Sequence, residues 1–368
     1  MSISLYFLMI LFGIVGTVRE VLNKRRSTLC LIGLLVFYLA TLCSRIGHGY
    51  DYSDITQYID YFLNDNDAYF EPGYVIFTNS IKSFIGYIPT VYIALVGVWI
   101  IFFTLITNNI CFRYSTNNIE NNHQEYGDTS LNYACSFFFL FSLYWGTSFG
   151  CEVIRLGMAI CLLLCAMAYA LNNKFLIALL FVVGAFFFQY TSVVFLVGLL
   201  CLFLFKPLSK RLYVIWLFSL VFCDFLIASG ISGSFLGSSF LSLVLSLSDA
   251  FSHYDVYSSA DVGGLGWISL QYFAYYLFAI YMIAGNLENE KFNKSVLVYF
   301  VGLSMGVLLR GTIYSMRIQW VFYPSIILVL YYYISDGFDN PWRKLYILSL
   351  YSVIQIVMAL RYLGALHI

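Results

Sequence analysis

Long apolar runs separated by short polar or basic connections recur along the chain, and their lengths predict membrane helices rather than soluble elements. A membrane-crossing helix needs about 20 apolar residues. On that measure the runs at 2–18, 27–44, 89–107, 131–145, 156–171, 212–228, 267–287, 295–309, 318–334 and 345–362 each predict one span. The run at 175–205 has Lys174 before it and Lys206, Lys210 and Arg211 after it, so both ends sit on one side and it predicts a two-helix hairpin. Gln189, Tyr190, Thr191 and Ser192 form its tip. Residues 74–87 are shorter and carry Asn79 and Lys82, which suits an interfacial or re-entrant helix. The fold class is therefore all-α: a polytopic membrane protein of about 12 transmembrane helices, with interfacial helices in external loops and one integral membrane domain over 1–368.

Basic residues orient these spans, because cytoplasmic loops are enriched in Lys and Arg. The densest basic cluster, Arg19, Lys24, Arg25 and Arg26, follows the first span and places the N-terminus outside. The same alternation puts Arg113, Lys174, Lys206, Lys210, Arg211, Lys291, Lys294, Arg343 and Lys344 inside. Residues 108–130 and 336–344 then read as internal connections, and the loops at 45–73 and 229–266 as external ones. Ser238, Ser242, Ser246 and Asp249 recur at helical spacing in the second of these, as in an amphipathic helix lying on the bilayer.

Composition agrees with this reading. Of 368 residues 61% are hydrophobic and 10% charged, far below the roughly 25% charge of soluble domains. Net charge is zero, which excludes a basic field for nucleic acid. The 32 Tyr and 35 Phe suit spans and interfacial belts. The nine cysteines show no metal-ligand spacing, and no phosphate loop or serine-nucleophile motif is present, so no cofactor is expected. The first apolar run lacks a basic leader and cleavage site, and reads as a retained span.

The chemistry gathers on the outer side. Residues 45–74 hold six of the 19 acidic residues, together with His48. Asp51, Asp54 and Tyr58 lie on one face of a predicted short helix, with Ile55, Ile59 and Phe62 opposite. Asp65 and Asp67 resemble a calcium-loop fragment without its glycine and distal glutamate, and read as a solvated turn. Glu71 begins a turn and can either cap the following helix or act as a base. His48 and His253 are both external and titrate near neutrality. Six cations escape the inside loops: Arg45, Lys82, Arg155, Arg310, Arg317 and Arg361. An arginine costs about 2.5–3.5 kcal/mol at the bilayer centre, so its recurrence at outer span ends asks for a partner. That partner is either a nearby acid, such as Asp51, Glu152 or Asp255, or a phosphate or carboxylate gripped by the planar guanidinium fork.

Four ordered pieces resemble the EpsG and Wzy group of bacterial polysaccharide polymerases. They are Arg45 followed by Asp51-x-x-Asp54-x-x-x-Tyr58, then Glu71-Pro72-Gly73-Tyr74, then Glu152-x-x-Arg155-x-x-x-Ala159, and Arg317 opening a late span. The chain departs from the group at the hairpin tip, which reads Phe188-Gln189-Tyr190-Thr191-Ser192 where a histidine is frequent. A proton-transfer role there is not expected.

The resemblance implies transfer of a growing glycan from undecaprenyl diphosphate to a sugar hydroxyl of another lipid-linked oligosaccharide, on the periplasmic face of the bacterial inner membrane. It implies a metal-independent glycosyltransferase of O-antigen or capsule biosynthesis, with membrane lipid and a chain-length regulator as further partners. Arg45, Arg155, Arg310 and Arg317 are the diphosphate-binding candidates, because the leaving group needs positive charge where negative charge develops. Asp51, Glu71 and His48 are candidate bases, and Tyr50, Tyr52, Tyr58 and Trp145 candidate sugar-stacking residues. The competing classes are a lipid-linked oligosaccharide flippase, an O-antigen ligase or an acyltransferase. A transporter would favour repeated halves and midplane charges, whereas only Asp224 lies inside a span away from its ends.

Overall fold

The computed structural model describes residues 3–47, 54–64, 70–120, 132–151, 153–228, 265–285, 287–309, 313–322, 325–336 and 340–362. Every regular element among them is helical, and the chain is an all-α polytopic membrane protein. Five helices are long and apolar enough to cross a bilayer, among them those over Ile3–Asn23, Thr28–Ile46, Pro89–Tyr114 and Pro341–Leu360. Several other predicted spans form shorter apolar helices of 10–17 residues. The described residues fall into two compact units, one of residues 1–193 with 330–368 and the other of residues 194–329.

The first unit begins with α1 (Ile3–Asn23) and α2 (Thr28–Cys43), which return on each other. Then come α3 (Asp54–Asn64), α4 (Pro72–Ile85) and the long α5 (Pro89–Glu120). Next are α6 (Ala134–Phe141), a π-helical turn (Ser142–Gly146), α7 (Thr147–Cys151), α8 (Ile154–Ala170) and α9 (Phe175–Phe188). Helix α8 is the core of this unit: nearly all its side chains are buried, between α5 on one side and α9 on the other. It runs parallel to α5, since Trp99 Nε1 donates to the Met158 carbonyl while Thr107 meets Cys165 further along both helices.

Helix α1 runs antiparallel to α6. Tyr6, near its start, donates to the Leu143 carbonyl, and Glu20, near its end, meets the first turn of α6. That second contact replaces a missing cap. The first backbone N–H groups of any helix have no partner within it. Tyr133, at the N-cap of α6, supplies no side-chain acceptor. The buried Glu20 carboxylate accepts instead from the backbone N–H of Cys135 (3.1 Å) and Ser136 (2.9 Å) and from the Ser136 hydroxyl (2.7 Å). A carboxylate is also favoured there by the helix dipole.

Two expected loops are helical. Residues 108–120 continue α5 rather than forming a connection, with Ile110 and Cys111 buried and the Asn108 side-chain amide donating to Asn132 Oδ1. The connection between the runs at 131–145 and 156–171 is mostly helix as well. Thr147 Oγ1 donates to the Ser142 carbonyl at 2.7 Å and Tyr38 donates to the Gly146 carbonyl at 2.7 Å, so the carbonyls loosened by the π-helical turn keep partners. The 175–205 run does break at Gln189, whose backbone is extended (φ −156°, ψ 113°), and a 3-10 turn over Tyr190–Val194 follows.

The second unit holds α10 (Phe195–Leu204), α11 (Lys210–Ala228), α12 (Leu265–Ile283), α13 (Glu290–Leu308) and α14 (Ile313–Phe322). Helix α15 (Ser325–Asp336) begins in it, and α16 (Pro341–Tyr362) returns to the first unit. Asn293, 1% exposed, is its polar hub. Its side chain accepts from Leu208 N–H and Tyr213 Oη and donates to the carbonyls of Leu208 and Leu287. Helices α13 and α14 approach closely at Gly302, where a Cβ would come within 2.4 Å of the Phe322 Cβ.

Candidate functional site

The first unit brings together three residues that the sequence places far apart. Helix α3 supplies Tyr58, the turn before α4 supplies Glu71, and the first turn of α8 supplies Arg155. The Arg155 guanidinium forms an ion pair with the Glu71 carboxylate through Nη1, and its Nε donates to the Tyr58 hydroxyl at 3.3 Å. The guanidinium carbon lies 4.8 Å from the centre of the Phe70 ring and 5.7 Å from that of Tyr58, a cation–π arrangement. The second oxygen of Glu71 accepts from the backbone N–H of Tyr190 at 3.4 Å, at the tip following α9.

Local sequence explains why Glu71 arrives there. Pro72 fixes the first position of α4, and Glu71 stands in extended backbone at the N-cap (φ −63°, ψ 146°). Its side chain makes no cap bond, so of the two readings of Glu71 the capping one is corrected: the carboxylate turns away to Arg155 and Tyr190. Gly73 admits the close approach this requires. A Cβ there would lie 2.7 Å from the Phe187 carbonyl oxygen and 2.9 Å from its carbon. Tyr74 is fully buried, hydrogen-bonded to Tyr92, and meets Tyr58 and Phe70 edge-on.

The charges are unequally covered. Glu71 is 2% exposed and both its oxygens are engaged, whereas Arg155 is 19% exposed. Among the described residues Nη2 of Arg155 has no hydrogen-bond partner. A guanidinium carries five N–H donors, so Arg155 is oriented by one carboxylate and one phenol while its outer edge can still bind an anion.

Other candidates are placed differently. Trp145, a sugar-stacking candidate, lies in the π-helical turn, 1% exposed, against Tyr144 and Phe149. Tyr58 is 3% exposed and stacks on Phe70, so the ring proposed to meet sugar instead supports Arg155. Arg45 lies in the 3-10 turn Ser44–Gly47 after α2. Arg317 is on α14 in the second unit. His48, Tyr50, Asp51, Tyr52, Glu152, Asp255, His253 and Arg310 lie outside the described residues. Sequence reasoning missed Phe70, Gly73 and the Tyr190 amide as supports. Only Gly73 carried a signal, as the glycine after a proline at a helix start.

A helical membrane protein with a buried acid–arginine pair built from loops and helix ends is the class that fold and site define. The EpsG family model matches residues 28–367, and the chain belongs to that family. Membership supports a polysaccharide-polymerase type of role. No curated protein and no solved structure matches the chain.

Proposed function

We propose that the chain joins lipid-linked oligosaccharide repeats, transferring the growing glycan from undecaprenyl diphosphate to a sugar hydroxyl of the next repeat on the periplasmic face of the inner membrane. The observation that carries this reading is Arg155: a guanidinium fixed on one side by Glu71 and Tyr58 and open on the other. Diphosphate leaves an anomeric carbon more readily where positive charge is already oriented toward it. Arg155 supplies that charge, and Arg45, Arg310 and Arg317 are the further candidates for the same role. Glu71 is assigned to holding Arg155, because its two oxygens are already engaged. Deprotonation of the acceptor hydroxyl then falls to Asp51 or His48.

Deleting the gene tests the reaction class. The expected product is glycan of a single repeat unit with long chains lost, and lipid-linked units still reaching the outer face. Accumulation of those units on the cytoplasmic face would indicate a flippase and contradict the reading.

A further inference from the structure

Lys82 is the one non-arginine among the cations that escape the predicted inside loops. It lies in the last turn of α4. Its Nζ donates to the Tyr61 carbonyl at 3.0 Å, and the ammonium stands 4.9 Å from the Tyr61 ring centre, 5.9 Å from Phe62 and 5.7 Å from Tyr87. Tyr61 and Phe62 belong to the last turn of α3. Carbonyls at a helix C-terminus lack intrahelical partners and carry the negative end of the dipole, so an ammonium there answers both.

This contact reaches the site through α3. One turn before Tyr61 stands Tyr58, whose hydroxyl accepts from Arg155. Phe62 stacks on Tyr92 with ring centres 4.7 Å apart, and Tyr92 is hydrogen-bonded to Tyr74, which touches both Tyr58 and Tyr61. Helix α3 is only 11 residues long, too short to be stable by itself. Its placement depends on side chains reaching it from α4 and α5: Tyr74 against Tyr58 and Tyr61, Tyr92 against Phe62, and Lys82 on the Tyr61 carbonyl.

We propose that Lys82 is a positioning residue for the Arg155 site: it clamps the C-terminal end of α3 onto α4 and so holds the Tyr58 hydroxyl at Arg155. The proposal rests on the site reading above, and its test separates the two. Full-length protein purified in detergent is compared as wild type, Lys82→Met and Lys82→Arg, with hydrogen exchange followed across residues 54–64 and glycan length measured in cells. Methionine keeps most of the aliphatic stem and loses the charge, while arginine keeps the charge, the donor and the cation–π contacts. The expected result is exchange about tenfold faster in α3 for Lys82→Met, as for loss of one charge-assisted hydrogen bond with its cation–π support. Long chains fall with it, and Lys82→Arg restores both. Unchanged α3 exchange in Lys82→Met, or equal damage from both variants, would overturn the proposal. An Arg155→Ala protein with normal chain length would instead overturn the reading of the site, while α3 exchange continued to report on Lys82.

Discussion

Replacing Arg155 by alanine is expected to abolish long glycan chains, with a loss of polymerisation of at least about 100-fold, the scale for removing an oriented charge-stabilising donor. The substitution has a second consequence that must be separated from the first. It removes the one cation paired with the Glu71 carboxylate among the described residues, a group 2% exposed, and an uncompensated buried charge costs about 3–5 kcal/mol. Part of any loss of product would then reflect loss of folded protein.

Two companion variants separate the effects. Glu71→Gln combined with Arg155→Met removes both charges and keeps similar volumes, so protein should return to the membrane at near wild-type amount while long chains stay absent. Arg155→Lys keeps the charge, but one ammonium cannot span Glu71 and Tyr58 as the guanidinium fork does. It should fold and give shortened chains. Normal chain length in the Gln/Met double variant would show that the pair only holds α3, α4 and α8 together.

Glu20→Ala is expected to be the most destabilising single change away from the site. It strands the N–H groups of Cys135 and Ser136 and the Ser136 hydroxyl in a buried region. With a penalty of about 1–3 kcal/mol for each unsatisfied buried group, partly relieved by relaxation, a net loss of about 3 kcal/mol follows. Thermal unfolding of the purified protein, followed by size-exclusion chromatography of the soluble fraction, should show a clearly lower midpoint. Glu20→Gln should be milder, since one oxygen remains as an acceptor, although its amide would face a backbone donor. A midpoint unchanged in Glu20→Ala would show that water or another side chain caps α6 equally well.

The apolar runs made the helical class and most helix positions legible, because hydrophobic length and flanking charge are properties of the chain itself. The places where reading failed share a physical cause. Asn108 ends the apolar stretch of α5, but the helix continues past it, with Ile110 and Cys111 buried and the Asn108 amide donating to Asn132, 24 residues on. Glu20 reads as one acid among basic residues, and its role exists only because α6 begins with Tyr133 instead of a capping residue. The burial of Trp145 was not legible either, because it follows from the π-helical turn in which it lies.

At the site, the arginine and the acid were visible as unusual charges in apolar surroundings. That Arg155 would take Glu71 was not visible, since it depends on Gly73 allowing α4 to start against the end of α9. The pairing changes the roles. An acid that was equally a base or a cap becomes the residue that orients Arg155.

The most direct test of polymerase function uses the full-length chain in lipid nanodiscs, supplied with defined undecaprenyl-diphosphate-linked repeat units and no other protein. The predicted result is a ladder of products two or more repeats long, with one undecaprenyl diphosphate released for each linkage formed, and no ladder from the Glu71→Gln/Arg155→Met protein. Repeat units that stay single in the presence of folded wild-type protein would contradict the account.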